Sequence, residues 1–97
     1  MRVGGQHAVE FWVHESAAAR GFGTTVTGKV FDGVLRVGDV ITRALIQGES
    51  HPTSLRIKEI ALYGTLVDEV TAGMSAQVVV SGEGGELLRR DALLYLL

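Results

Sequence analysis

Apolar and polar residues alternate along the first predicted strand, residues 7–14, where Val9, Phe11 and Val13 share one face of an extended backbone. A second alternating segment covers residues 24–31. Helical periodicity is hard to find, so the pattern predicts an all-β fold. The remaining predicted strands are residues 40–46, 55–63, 66–70, 76–81 and 91–97.

The strongest hairpin signal in the chain is Asp32-Gly33. A two-residue turn there predicts that Val30 and Leu35 point into the core together. It also predicts that Lys29 faces Arg36, a like-charge pair that slightly destabilises the hairpin. The two basic side chains either splay into water or form a small clamp for phosphate.

Further turn signals complete the predicted architecture. A second turn at residues 37–39 follows at once, and the polar residues 47–54, which include the only proline, form the clearest predicted loop. Six or seven short strands at this spacing predict a small closed antiparallel β-barrel. Because 97 residues can bury one core, we interpret residues 1–97 as a single domain.

Composition and charge exclude several classes of protein. The chain has no cysteine, which excludes disulfides and thiolate metal sites and makes the cytoplasm the expected location. Its net charge of −2 provides no broad positive field, so strong non-specific binding of nucleic acid is not predicted. A local basic patch is still compatible with this net charge. No apolar stretch is long enough to span a membrane, and no membrane partner is expected.

The sequence predicts no catalytic residue, no metal site and no cofactor. His7 and His14 are an odd number of positions apart, so a regular strand directs them to opposite faces, and His51 lies in the predicted loop. No serine, histidine and acidic residue are spaced in a way that argues for a catalytic triad. We therefore do not expect an enzyme.

The segment "GTTVTGKV", residues 23–30, is one residue short of a phosphate-binding loop. Its last position is Val30, which has no oxygen for Mg²⁺, and the four residues before Gly28 are β-branched and favour an extended backbone. A turn follows instead of a helix. The segment therefore predicts a strand, in which Gly28 marks a bulge or a close approach of two backbones.

Three segments in this order resemble the second domain of translational GTPases, of the elongation factor Tu and selenocysteine-specific elongation factor type. The segments are "GFGTTVTGKVFDGVLRVGDVI" (21–41), "YGTLVDEVTAGMSAQVVVSG" (63–82) and "RRDALL" (89–94). The resemblance implies a six- or seven-stranded barrel that packs against a GTPase domain and contacts RNA, either the 3′ end of tRNA or ribosomal RNA. GTP hydrolysis would belong to that other domain.

The chain also departs from the elongation factor Tu pattern. By spacing, Ala61 and Gly64 occupy the positions of an acidic and a basic residue that help to hold the tRNA end in that factor. Neither residue can make those contacts. Arg90 stands where a glycine is common.

The candidate contact residues lie around the glycine-rich turn and the predicted hairpin. Phe22, between two glycines, is either a core residue or an exposed surface on which a base stacks. The residues that we expect to contact RNA or a partner are Arg20, Gly21, Phe22, Gly23, Thr24, Lys29 and Arg36.

The alternative function is a stand-alone module for protein interaction or homodimerisation. Trp12 points to the other face of the predicted strand from Phe11 and Val13. It would therefore provide apolar surface that faces another domain. The apolar C-terminus cannot all be buried in one small barrel. We therefore expect some of its last residues either to make an intermolecular contact or to mark a truncated chain: Leu94, Tyr95, Leu96 and Leu97.

Overall fold

The computed structural model of the protein describes residues 9–18 and 23–96. Within these residues most of the chain is extended, as the alternation predicted. No helix among them is long and apolar enough to cross a membrane. The strands are β1 (Val9–Ala18), β2 (Thr24–Asp32), β3 (Val34–Arg36), β4 (Val40–Ile46), β5 (Glu49–Leu62), β6 (Thr65–Val67), β7 (Glu69–Thr71), β8 (Ser75–Glu83) and β9 (Leu93–Leu96), and a short 3-10 helix covers Gly85–Leu87.

Six antiparallel strands close into a barrel. Their order around it is β4, β9, β1, β2, β8 and β5, and β5 pairs again with β4. Strand β6 lies beyond β5 in the same sheet, and β3 and β7 form a separate two-stranded sheet. The predicted all-β fold, a small closed antiparallel barrel of six to seven strands, is confirmed.

The interior of the barrel is filled by apolar side chains from every barrel strand. In β2, Val26 and Val30 are fully buried with Gly28 between them, whereas Lys29 and Phe31 point outward. No polar or charged side chain is buried among the described residues, so the barrel core needs no internal ion pair or hydrogen bond between side chains.

The prediction of a close backbone approach at Gly28 is confirmed. A Cβ atom there would overlap the carbonyl oxygen of Trp12 and would lie 2.8 Å from the ring of Phe11. Strand β1 shifts register opposite this glycine, because His14 is an extra residue between the pairs that Val13 and Glu15 make with β2. The irregularity that the glycine signalled is therefore a bulge in the neighbouring strand.

The predicted pairing of β2 with β3 is wrong. Lys29 lies opposite Trp12 of β1 and Ser75 of β8, whereas Arg36 lies opposite Glu69 of β7. Both edges of β2 are already occupied by β1 and β8, so the chain that leaves the turn at Gly33 has no free edge of β2 to pair with. Val30 and Leu35 are nevertheless both buried, as expected.

The predicted loop at residues 47–54 is also wrong, because most of it belongs to β5. Only Gln47 and Gly48 form the turn, and both have a positive φ, of 52° and 84°. Pro52 is tolerated in the strand because β5 pairs there with β4 alone and meets β8 only from Ser54 onward. His51 is a half-buried strand residue and not part of an exposed loop.

The apolar C-terminus forms the barrel strand β9, and two of its side chains are buried in the core. Strand β9 fits between β1 and β4, and Leu94 and Leu96 are each 1% exposed in the core. The predicted intermolecular contact is therefore wrong for these two leucines. Tyr95 points outward, and Leu97 lies outside the described residues.

We expect Gly28→Ala to lower the free energy of unfolding by about 3 kcal/mol, because the new methyl group must push the backbone of β1 away. Gly38→Ala is the matched control, since Gly38 has a φ of +98° but nothing within 4 Å of an added Cβ. That change should cost only about 1 kcal/mol of backbone strain. Urea unfolding measures both, and a smaller loss for Gly28→Ala than for Gly38→Ala would contradict the steric argument.

Candidate nucleic-acid interface

The structure divides the predicted contact residues between two regions. Gly23 lies directly before β2 and Thr24 begins it beside β8, where a Cβ on Gly23 would overlap the carbonyl oxygen of Val80. Lys29 lies further along the same strand, whereas Arg36 lies on the separate two-stranded sheet. The remaining predicted residues, Arg20, Gly21 and Phe22, lie outside the described residues.

Arg36 is held by its own sheet and its own turn. Its Nε donates to Glu69 Oε1 at 3.1 Å, and its backbone N–H donates to the Asp39 carboxylate at 3.0 Å. Both side chains of the ion pair are more than half exposed, at 60% and 53%, so the pair adds little stability. The predicted phosphate clamp required Lys29 and Arg36 to face each other across paired strands. Because these strands do not pair, the basis of that prediction is removed.

Three aromatic side chains instead form a cluster on the outer face next to Lys29, in which Trp12 is half-buried and His14 and Phe31 are exposed. The rings of Trp12 and Phe31 stack with an interplanar angle of 3° and a centroid distance of 6.4 Å. His14 tilts against the other side of the cluster, with its centroid 5.6 Å from that of Trp12. Phe31 is 50% exposed. We call Trp12, His14 and Phe31 the aromatic platform.

The platform depends on two bulges between β1 and β2. His14 is the extra residue of β1, and Phe31 is the residue of β2 that has no partner opposite it, because Glu10 pairs with Asp32 and Phe11 with Val30. The three rings point outward by the regular alternation of their strands, and the two bulges set the register at which the strands pair. That register places Lys29 directly opposite Trp12, with His14 and Phe31 on neighbouring outward positions.

A cleft of about 280 Å³ borders the platform. The exposed Lys29 lies directly opposite Trp12 across the two strands. Arg90 brings a second cation close, since its Nε donates to the His14 carbonyl oxygen at 3.3 Å. The lining residues are Trp12, His14, Thr27, Gly28, Lys29 and Ser75.

This arrangement suits an unpaired nucleotide. A base can stack on the exposed rings, whose faces accept any base, and the ammonium of Lys29 can contact a phosphate oxygen. The Thr27 and Ser75 hydroxyls can donate to or accept from the polar edge of the bound group. Among the described residues, no group of three or more His, Asp or Glu side chains is placed to hold a metal ion.

A polar row lies beside the platform on the outer face of β1, β9 and β4. The Tyr95 hydroxyl donates to Glu10 Oε2 at 3.2 Å, and the guanidinium carbon of Arg43 lies 4.6 Å from the centre of the Tyr95 ring. Burial raises the pKa of Tyr95 above its usual value of 10.0, and the charge and hydrogen bond of Glu10 raise it further. The Arg43 charge lowers this pKa.

Sequence reasoning missed most of the platform. Period-two alternation placed Trp12, His14 and Phe31 on the outer faces of their strands, and the structure agrees. The alternation does not show the register between β1 and β2, so it could not show that the three rings lie next to one another. Arg90 was noted only as a departure from a family pattern. The useful signal was Gly28, since a glycine within a strand indicates where two backbones come unusually close.

Comparison with solved structures finds the same fold in translation elongation factor SelB and in the bacterial selenocysteine-specific elongation factor EF-Sec. The apo structure of translation elongation factor SelB from Methanococcus maripaludis has a TM-score of 0.77 at 22% identity over 93% of this chain, and its complex with the GTP analogue GPPNHP has 0.72 at 21% over 93%. Bacterial EF-Sec has a TM-score of 0.69 at 19% identity over 89%.

These matches establish the fold that the sequence resemblance implied. The chain spans 19% of each SelB structure and 14% of the EF-Sec structure, so the matched region is one small part of a longer protein in each case. No protein-family model matches the chain, and the search of curated proteins gives no match.

We expect Glu10→Gln to lower the pKa of Tyr95 towards 10.0, because the substitution removes a negative charge next to the phenol. A Tyr63→Phe background leaves Tyr95 as the only tyrosine, and the ultraviolet absorbance of the phenolate follows its titration. Glu86→Gln serves as the control, and an equal titration in both variants would refute the coupling.

The raised pKa has a consequence for stability at alkaline pH. The folded state binds the phenol proton of Tyr95 more tightly than the unfolded state does. The stability that this protonated phenol contributes is therefore fully present below pH 10. That contribution is lost as the pH rises through the raised pKa of Tyr95. As the pH rises from 10 through the raised pKa of Tyr95, the free energy of unfolding should therefore fall less in Glu10→Gln than in the parent protein. Urea unfolding at several alkaline pH values measures this difference.

Proposed function

We propose that this chain is a non-catalytic β-barrel module of a translation elongation factor-like GTPase and that the aromatic platform contacts RNA. The observation that carries the proposal is the stacked pair of Trp12 and Phe31 with Lys29 beside it on the outer face of the barrel. The shared fold with selenocysteine-specific elongation factors supports the translational context.

Single-stranded RNA is the class of ligand that fits best. Stacking of one base on an aromatic side chain is worth about 1–3 kcal/mol, and unpaired bases can reach such a surface whereas paired bases cannot. The net charge of −2 provides no field that would hold a long duplex by its phosphates. An RNA end or loop, such as the 3′ end of a tRNA or an exposed segment of ribosomal RNA, meets both conditions.

The GTPase domain of the parent factor is the second proposed partner. One matched SelB structure contains a GTP analogue, and this chain corresponds to only 19% of its length. In our proposal the chemistry of GTP resides in that other domain, the barrel contributes binding surface without a cofactor of its own, and the location is the cytoplasm, where translation takes place.

Protein binding, the alternative function, is favoured by a different observation. Tyr63 is 95% exposed and Leu66 is 64% exposed, and the two lie in the same hairpin. Exposed large apolar side chains that are grouped in this way mark interaction surfaces. Leu94 and Leu96 lie in the core and therefore cannot contribute to a dimer contact through the C-terminus. A protein-interaction function would therefore depend on the surface around Tyr63 and Leu66.

We expect Phe31→Ala to weaken binding of a short single-stranded RNA by about tenfold, because the loss of one stacking ring costs roughly 1–3 kcal/mol. The substitution is at a half-exposed side chain and should leave the barrel folded. Trp12 is the only tryptophan of the chain, so quenching of its fluorescence reports binding directly at the platform. RNA binding without quenching would refute this site.

Lys29→Gln should flatten the salt dependence of the same binding, with a change in slope of about 0.7 for one lost phosphate contact on a single strand. Arg36→Gln is the matched control, because Arg36 is paired with Glu69 on the separate sheet. An unchanged slope in Lys29→Gln, or an equal change in both variants, would contradict the assignment of the phosphate contact to Lys29.

A further inference from the structure

The hairpin of β5 and β6 displays a second exposed apolar surface, away from the platform strands. Its turn, Tyr63-Gly64, has φ values of 51° and 83°, which are those of a tight hairpin turn with both central residues left-handed. Glycine adopts this conformation without strain, but a tyrosine does not. Because it is 95% exposed, the Tyr63 side chain contributes nothing to the barrel core.

A shallow cleft of about 180 Å³ lies along the same hairpin. Its apolar part includes the buried Ile60, the half-buried Val67 and two exposed side chains, Leu66 at 64% and Val37 at 42%. The chain segments that form it are fixed, since the backbone N–H of Val37 donates to the carbonyl oxygen of Asp68 at 3.0 Å. An apolar centre with a charged rim is the usual anatomy of a protein interface.

Strand β6 also has an open edge, because it is the last strand of the seven-stranded sheet. Leu62 and Thr65 flank the two-residue turn and form the hydrogen-bonded pair, so the next pair, Ala61 and Leu66, is the non-hydrogen-bonded kind. The N–H and C=O of Leu66 therefore face away from β5. The N–H can donate one hydrogen bond to an added extended segment, and the carbonyl oxygen can accept one from it.

The rim of the cleft has an excess of negative charge. Glu59 and Asp68 line it together with one cation, Lys58, and all three are exposed. Neither ion pair found in the described residues involves any of them. Two free carboxylates repel the phosphates of RNA and favour a partner that presents a cation.

We propose that this surface is a docking site for an extended peptide segment of a protein partner, in which an apolar side chain fills the cleft and a neighbouring basic residue meets Glu59 and Asp68. The peptide pairs with the open edge at Leu66, and Tyr63 adds an aromatic contact at the end of the hairpin. The site is separate from the aromatic platform, so either site can exist without the other.

The test uses the full chain labelled with ¹⁵N and two synthetic peptides that alternate valine with a charged residue, lysine in one and glutamate in the other. The lysine peptide should shift the amide signals of Val37, Leu66, Val67 and Asp68. Leu66→Gln should weaken its binding by about tenfold, as expected when a central apolar contact is truncated.

Charge reversal gives the sharper experiment, because it changes an exposed side chain and should leave the fold intact. Asp68→Lys should weaken binding of the lysine peptide and strengthen that of the glutamate peptide. Glu86→Lys, an exposed carboxylate on the 3-10 helix, is the matched control and should leave the preference for the lysine peptide unchanged.

Four results would overturn the proposal. They are no shift with either peptide, equal binding of both peptides, shifts confined to the amides around Trp12, and shifts of the β6 amides by RNA or by raising the concentration of the chain alone. The last would identify RNA or a second copy as the occupant. Fluorescence of Trp12 in the RNA titration tests the platform independently, so failure of one site is distinguishable from failure of the other.

Discussion

The contact between the Gly28 backbone and the Trp12 carbonyl oxygen is the constraint on which the rest of the barrel depends. It brings β1 and β2 so close that no side chain fits between them, and the Phe11 ring fills the space inside. Two bulges accompany this approach and bend the pair of strands. Because a small barrel closes only if its strands bend sharply, the same contact supports the closure and orients the aromatic platform.

The sequence predicted the type of fold and much of the core, but not the pairing of every strand. Period-two alternation fixes which side chains of a strand face inward, and so Val9, Phe11 and Val13 were correctly placed on one face. Val30 and Leu35 are both buried as expected, although the hairpin pairing from which this was predicted does not form. It carries no information on which edges are already occupied, and therefore the partner of β3 was assigned wrongly. Polar composition and Pro52 suggested a loop at 47–54, because a local pattern does not show that one side of β5 is unpaired there.

The candidate sites were harder to predict than the fold. Lys29 stays a predicted contact residue, and the ring that lies opposite it, Trp12, became part of the candidate site only when the register of β1 and β2 was known. The platform carries the aromatic rings with cations beside them, and the hairpin of β5 and β6 carries aliphatic side chains with an excess of carboxylates. This difference in chemistry is the basis on which we propose an RNA ligand for the platform and a peptide ligand for the hairpin.

Strand β9 has a consequence for the order in which the molecule can form. It lies between β1 and β4, so the barrel remains open until the last of its strands has left the ribosome. Until then the edges of β1 and β4 are unpaired, and such edges are templates for association with other chains. Since pairing of β1 with β9 joins segments distant in sequence, closure is also expected to be the slow step of folding.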